Sequence, residues 1–109
     1  MTHTSVWGGG LTLSAKNLGA EGVVVDGAVL DSHMILERAL PVFSRGRHPA
    51  HGTWKTPGSV NVPISCGGVV VNPGDIVFGD LDGVVVVRRE QALAGARASV
   101  MITALIMRR

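Results

Sequence analysis

The sequence predicts an α/β fold, and three observations support this prediction. Short runs of β-branched residues stand between glycines, as at residues 22–25, and are typical of strands. Other segments place leucine and alanine at helical spacing. Between these runs, Asn-Pro-Gly-Asp and Asp-Gly sequences favour tight turns. With 109 residues and no evident linker, the chain is expected to form a single domain, 1–109.

Two helices are predicted in the first half of the chain. Apolar residues at helical spacing indicate a helix from Leu11 to Leu18, and Gly19 follows in the position of a C-terminal cap. A second helix is expected to begin after Asp31, which is a good N-cap residue, and to continue to Ala39. Strands are expected at 22–25, where the run is apolar enough to be buried, and at 42–43.

The second half is predicted to be mostly β structure before a final helix. Residues 45–59 are polar and rich in proline and glycine, so a long surface loop is expected there. From Glu90 to Met107, alanine, leucine and methionine predict a C-terminal helix. Turns are expected at 72–75 and 79–83. The predicted strands are 60–64, 69–71, 76–78 and 84–87.

The composition favours an oligomer and gives no signal for a membrane or for nucleic acid. Hydrophobic residues make up 46% of the chain and charged residues 17%, more apolar surface than a small monomer easily hides. The longest apolar stretch, 98–107, falls short of the roughly 20 residues that a membrane-spanning helix needs. The basic residues are scattered and aromatic residues are few, so no nucleic-acid surface is expected. A single cysteine excludes an internal disulfide, and a cytoplasmic location is expected by default.

Four stretches of the sequence occur in a distinctive order. They are GVVVDGAVLD (22–31), PVFSRG (41–46), VNVPISCGGVVVNPGDIV (60–77) and GDLDGVVVV (79–87). Together they resemble the family that contains the divalent-metal-dependent 4-hydroxy-4-methyl-2-oxoglutarate (HMG) aldolases and the RraA regulators. The resemblance extends from Trp7 to about Gln91, and the ordered series is specific although each stretch alone is weak.

This resemblance implies a fold, an assembly and a reaction. The fold is the β/β/α swivelling-domain (phosphohistidine-like) fold, usually in a homotrimer with active sites at subunit interfaces. Family members carry a further region before the position of Trp7, so the chain is expected to be an N-terminally short member. The implied reaction releases pyruvate from a small 2-keto acid, by aldol cleavage or by oxaloacetate decarboxylation. Mg²⁺ or Mn²⁺ would stabilise the enolate as a Lewis acid, held by one or two carboxylates.

The resemblance also implies roles for individual residues. Asp31 corresponds to the catalytic metal-binding aspartate, with a metal-bound water as the expected proton donor. Gly8, Gly9, Gly10 and Leu11 correspond to the segment whose backbone amides hold the substrate carboxylate. Elementary chemistry supports this second role, because glycines at a helix N-terminus let an anion approach free N–H groups. Two simpler interpretations stay open: Asp31 as a helix cap, and the glycines as a flexible lead-in.

The chain departs from the family pattern at two positions. Leu30 occupies the substrate-binding position where the family has the arginine of an Arg-Asp pair, so the fork of donors that clamps a carboxylate is missing. This loss is expected to lower the rate about 100- to 1,000-fold. Met34 stands where the family often has an acidic residue, and Glu37, one helical turn later, is a weak substitute.

Other polar residues are assigned structural roles. The spacing of His48 and His51 does not match a zinc site, so both are expected to be solvated loop residues. Cys66 has no base nearby in the sequence and is expected to behave as a small buried apolar residue. The aspartates of the glycine-rich turns are expected to form those turns; they are Asp75, Asp80 and Asp82.

The residues leave three functions open. The first is a metal-dependent 2-keto-acid lyase, weakened by Leu30. The second is an RraA-like regulator that binds and inhibits a ribonuclease, a role that needs no Arg-Asp pair. The third is an inactive remnant of the family.

Overall fold

The computed structural model describes residues 4–53, 57–92 and 105–107. By its internal contacts the chain divides into two compact units, Met1–Thr56 and Pro57–Arg108. The mixture of helices and strands confirms the predicted α/β class. The single domain over 1–109 stays a prediction.

A small parallel sheet organises the first unit. Its strands β1 (Ser5–Trp7), β3 (Ala28–Val29) and β5 (Gly46–Arg47) lie in the order β1-β3-β5. The prediction of an irregular loop at 45–59 is therefore wrong at β5. Strand β5 forms because of a tertiary contact: the backbone carbonyls on one side of β3 need hydrogen-bond donors. The N–H groups of Arg45 and His48 bond there, to the carbonyls of Gly27 at 2.9 Å and Val29 at 3.0 Å.

A second parallel pair completes the strands of this unit. Strand β2 (Val23–Val24) lies beside β4 (Val42–Phe43), as expected from the two apolar runs. Backbone bonds extend the ladder, since the Val25 N–H donates to the Phe43 carbonyl at 2.7 Å. Both strands are half-buried, so the expectation of a fully buried strand at 22–25 is wrong.

Helix α1 spans Gly9–Asn17 and begins two residues earlier than the predicted start at Leu11. Two of the three glycines adopt helical geometry, and the Gly8 carbonyl accepts the first helical bond, from the Thr12 N–H at 3.1 Å. At the other end Gly19 has φ +92°, and its N–H bonds to the Lys16 carbonyl at 3.0 Å. The predicted cap glycine is thus confirmed.

Helix α2 spans Ser32–Glu37 and is shorter than predicted, because Ala39 adopts a left-handed φ of +57°. Asp31 stands at the N-cap position with φ +58°, a conformation that aspartate tolerates better than most residues. Its side chain makes no capping hydrogen bond. The prediction of Asp31 as the N-cap residue of this helix is therefore confirmed in position, although the side-chain hydrogen bond typical of such a cap is not formed.

The second unit contains two antiparallel sheets. Strand β6 (Ile64–Cys66) pairs with β7 (Val69–Val71), and β8 (Ile76–Asp80) forms a hairpin with β9 (Gly83–Val87). The prediction of a strand at 60–64 is wrong for residues 60–63, because Asn61 adopts φ +57° and turns the backbone. Cys66 is buried, as predicted.

Aspartates form the turns of this unit, as predicted. The Asp75 carboxylate accepts the N–H of Asn72 at 2.8 Å, and the Asp75 N–H returns to the Asn72 carbonyl at 3.0 Å. In the hairpin, the Asp80 carboxylate accepts the N–H of Asp82 at 2.8 Å. These bonds satisfy backbone groups where the chain reverses.

The C-terminal segment differs from the prediction of one helix over Glu90–Met107. Residues 89–92 are helical, and residues 93–104 lie outside the described part. Leu105–Met107 forms β10, antiparallel to β9. The helix prediction is wrong there, because β10 supplies partners for the free side of β9, and pairing overrides local helix propensity. In the described part of the chain, no helix is long and apolar enough to cross a membrane.

Close packing of α1 against α2 generates a first prediction. A Cβ added at Gly9 would lie 3.0 Å from Met34 Cβ, whereas one added at Gly10 would meet nothing within 4 Å. Gly10→Ala is expected to raise the free energy of unfolding by about 0.5–1 kcal/mol through helix propensity. Gly9→Ala is expected to be about 1–3 kcal/mol less stable than Gly10→Ala, because of overpacking. Urea denaturation of the two variants measures the difference, and equal stabilities would contradict the packing described.

Candidate functional site

A cavity lies where three extended segments of the first unit end. Strands β1 and β3 run parallel, and residues 50–52 add a further parallel segment beside β1 through the pairing of Ser5 with His51. Carboxyl ends of parallel segments meet at one edge of a sheet, which is where α/β proteins commonly bind ligands. The cavity there has a volume of about 320 Å³, suited to a small organic molecule. Its described lining residues are Ser5–Leu11, Leu30, Asp31 and His51–Thr53.

The N-terminus of α1 forms one wall of the cavity. The N–H groups of Gly9, Gly10 and Leu11 belong to the first helical turn, where no helical carbonyl is available to them. No acidic residue lies in that turn, and the N-cap, Gly8, has no side chain to occupy the amides. This wall therefore offers backbone donors and the positive end of a helix dipole to an anion.

A buried threonine holds this wall in position. The Thr12 hydroxyl donates to the Gly8 carbonyl at 2.8 Å and accepts the indole N–H of Trp7 at 2.7 Å. Thr12 itself is fully buried, and both bonds are partly buried. They fix the backbone at the point where β1 passes into α1.

Asp31 also lines the cavity and follows β3 after one intervening residue, Leu30. Its Oδ2 lies 3.4 Å from the position that a Cβ of Gly8 would occupy, so the carboxylate stands beside the start of α1. The side chain is exposed and caps no helix. A left-handed backbone at a non-glycine residue carries strain, and such strain is often found at functional positions.

Leu30 lies beside Asp31 and covers Gly8. The Leu30 N–H donates to the Trp7 carbonyl at 3.0 Å, and its Cγ lies 3.5 Å from the Gly8 Cβ position. The side chain contributes an apolar surface and no donor. The structure thus brings every residue of the predicted site into one cavity: Gly8, Gly9, Gly10, Leu11, Leu30 and Asp31.

Glu37, the weak substitute for the acidic residue that the family often has at position 34, is not among the described residues of the cavity lining. It is exposed and pairs with His33 at 3.1 Å, one helical turn away. Met34 packs against Gly9. Among the described residues, no three His, Cys, Asp or Glu side chains are grouped as a metal cluster would be. A divalent ion at this cavity would therefore depend on the single carboxylate of Asp31, with water and ligand oxygens, which Mg²⁺ accepts.

His51 is a cavity residue that sequence reasoning missed. It was expected to be a solvated loop residue, and it is exposed, but it lies in a segment held against β1. The Ser5 N–H donates to Ala50 at 2.8 Å, and the Gly52 N–H donates to the Ser5 carbonyl at 2.9 Å. No local sequence signal could have found it, because the pairing joins distant parts of the chain.

Comparison with known proteins identifies relatives of the chain. The family model RraA-like, described as Aldolase/RraA, matches residues 1–86. An uncharacterized protein of Methanocaldococcus jannaschii is 46% identical over 88 residues, covering 81% of this chain and 42% of that protein. A protein of Halalkalibacterium halodurans, provisionally named as an HMG aldolase, is 47% identical over 77 residues, covering 71% of this chain and 37% of that protein.

A solved structure shows the same fold. RraAS2 of Streptomyces coelicolor, described as an unusual member of the RNase ES inhibitor RraA protein family, superimposes with a TM-score of 0.78 at 33% sequence identity. The match covers 88% of this chain and 50% of that one. The chain therefore spans half or less of the length of these relatives.

Proposed function

Because the chain belongs to the RraA-like Aldolase/RraA family, we propose that it is a divalent-metal-dependent lyase that releases pyruvate from a small 2-keto acid. The reaction is cleavage of HMG or decarboxylation of oxaloacetate. One observation carries the proposal: Asp31, whose carboxylate makes no capping hydrogen bond, and the residues of the first turn of α1 line one small cavity. The provisional aldolase name of the Halalkalibacterium halodurans relative supports the same reaction class.

The amides of α1 and the carboxylate of Asp31 suit two neighbouring groups of a 2-keto acid, its carboxylate and its keto group. The amides of Gly9, Gly10 and Leu11 would hold the carboxylate next to the keto group, as helix N-termini hold anions. The keto oxygen would then point toward Asp31. The substrate carboxylate and the Asp31 carboxylate, both negative, would repel each other unless a cation lies near them.

Asp31 is the residue that would hold this cation, Mg²⁺ or Mn²⁺. It is an oxygen donor, it is exposed, and its carboxylate makes no capping bond, so it fits an ion that takes one protein carboxylate and otherwise water and substrate. When bound, the ion supplies Lewis-acid stabilisation of the charge that develops on the keto oxygen. The chain's own contribution is to orient the keto acid by the amide wall and to bury one side of it against Leu30 and Trp7.

The charge at Asp31 generates a second prediction. Asp31→Asn keeps the shape of the side chain but removes its charge, and is expected to lower pyruvate release from oxaloacetate and HMG at least about 100-fold. Binding of Mn²⁺, followed by electron paramagnetic resonance, is expected to weaken in parallel. Asp82→Asn, in an exposed hairpin turn, is the matched control. Unchanged release by Asp31→Asn would show that the site is assigned wrongly, and release that resists a chelator would remove the metal from the proposal.

Leu30 generates a third prediction. Leu30→Arg would place a fork of donors beside the amide wall, and is expected to raise kcat/KM for oxaloacetate about 10- to 100-fold. Leu18→Arg adds the same charge at the far end of α1, where the leucine is 89% exposed, and is expected to have no effect. An equal response of both variants would mean that net charge, not the position of Leu30, controls the rate.

A second candidate function is protein binding, and a specific surface favours it. All five residues of β8 are exposed, and β8 lies at the edge of the β10-β9-β8 sheet within the described residues. Phe78, at 57% exposure, is the largest apolar side chain on this strand. The RraAS2 relative is described as belonging to a family of RNase ES inhibitors. A ribonuclease partner docking on β8 would use this surface and would not need the cavity.

This alternative generates a fourth prediction. If the chain binds an RNase E-type ribonuclease through β8, Phe78→Asp is expected to reduce co-sedimentation at least about tenfold, because a charge would be buried at the interface. Asp31→Asn is expected to leave binding intact. The absence of co-sedimentation by the unaltered chain would eliminate this candidate. A cooperatively folded chain with neither binding nor pyruvate release corresponds to the inactive remnant.

A further inference from the structure

Two of the described residues that line the cavity have ionisable side chains, Asp31 and His51. We propose that His51, in place of the metal-bound water that the family resemblance implies, is the residue that takes and returns the proton in aldol cleavage; this inference rests on the function proposed above. Asp31 is committed to the cation in that function, and the remaining described lining residues are apolar, glycine, serine or threonine. His51 is therefore the lining residue whose side chain can accept a proton and give it back.

The segment that carries His51 is held by backbone bonds to β1. The Ser5 N–H donates to the Ala50 carbonyl, and the Ser5 carbonyl accepts the Gly52 N–H. The Ser5 hydroxyl also donates to the His48 carbonyl. Gly52 permits this close approach, because a Cβ there would lie 3.0 Å from the Ser5 carbonyl oxygen. A proton-transfer group needs such positioning, since its geometry relative to the substrate decides its effectiveness.

His48 is not an equivalent candidate, although it lies in the same segment. Its Nδ1 accepts the Ala50 N–H at 3.0 Å, so one ring nitrogen is occupied in shaping the turn. His48 is also absent from the described lining of the cavity. Because the two histidines differ in this way, His48 provides a control in the same segment.

The proposed step conserves atoms and charge for HMG. Neutral His51 removes the proton of the C4 hydroxyl, the C3–C4 bond breaks, and C4 becomes the keto carbon of the first pyruvate. The electron pair of the broken bond forms the enolate of the second pyruvate. The imidazolium of His51 then returns the proton to the enolate carbon, so the products are two pyruvates and neutral His51.

Oxaloacetate follows a different route to the same enolate. Loss of CO₂ breaks the carbon–carbon bond directly, so no hydroxyl proton has to be removed. The enolate carbon then takes a proton from water, which reaches the cavity because Asp31 and His51 are both exposed. A residue that transfers the hydroxyl proton should therefore matter for HMG and much less for oxaloacetate.

This difference between substrates generates a fifth prediction. His51→Asn is expected to lower kcat for HMG cleavage on the order of 100-fold or more, the usual contribution of a general base. Its kcat for oxaloacetate decarboxylation is expected to stay within about fivefold of the unaltered chain, since that route removes no hydroxyl proton. His48→Asn is the control, because an asparagine side chain can also accept the N–H two residues ahead, and it is expected to preserve both activities. His51→Gln provides a second variant if His51→Asn fails to fold.

Each outcome of this experiment decides the inference. Selective loss of HMG cleavage supports it. Equal loss of both activities, or loss of neither, would overturn it, because a structural or binding role does not separate the two substrates. If the unaltered chain decarboxylates oxaloacetate without cleaving HMG, the inference fails while the lyase function stands. If the unaltered chain releases pyruvate from neither substrate, the proposed function fails and the role of His51 fails with it.

Discussion

The close approach of the N-terminus of α1 to the connection between β3 and α2 is the constraint on which the site depends. Gly9 allows it, because a Cβ there would lie 3.0 Å from Met34 Cβ, whereas the 3.4 Å between a Gly8 Cβ position and the Asp31 carboxylate is an ordinary contact. The bonds of Thr12 to Gly8 and Trp7 hold the approach in place. As a result, the first turn of α1 and Asp31, whose carboxylate makes no capping hydrogen bond, line the same small cavity.

This arrangement has an electrostatic consequence. A helix N-terminus attracts anions, while the neighbouring Asp31 repels them, so the cavity favours a ligand that carries its own cation or recruits one. Because Leu30 provides no positive charge, the helix end and a bound cation have to offset the ligand's negative charge. If the proposed lyase function holds, the residue at position 30 would influence how strongly that activity depends on a metal. His51 lies on the same cavity and supplies the one described imidazole there.

The apolar excess of the sequence has a structural counterpart in the second unit. Strand β8 presents exposed isoleucine, valine and phenylalanine, and other apolar side chains of this unit are exposed as well, among them Val60 and Val70. A surface of this kind favours contact with other chains or segments. The homotrimer expected from the family resemblance would cover such a surface, and it stays a prediction, as does the ribonuclease partner.

The sequence by itself determined the α/β class, the family, the cap at Gly19 and the aspartate turns, because each depends on local patterns or ordered motifs. It also named six residues that line one cavity, and their role stays a proposal. Only the tertiary structure decided that Gly46–Arg47 and Leu105–Met107 are strands, that the Asp31 side chain makes no capping hydrogen bond, and that His51 lines the cavity. These features arise from hydrogen bonds and contacts between segments far apart in the chain. Local propensity does not encode such pairing, since a strand edge or helix end accepts whichever distant segment the fold brings to it.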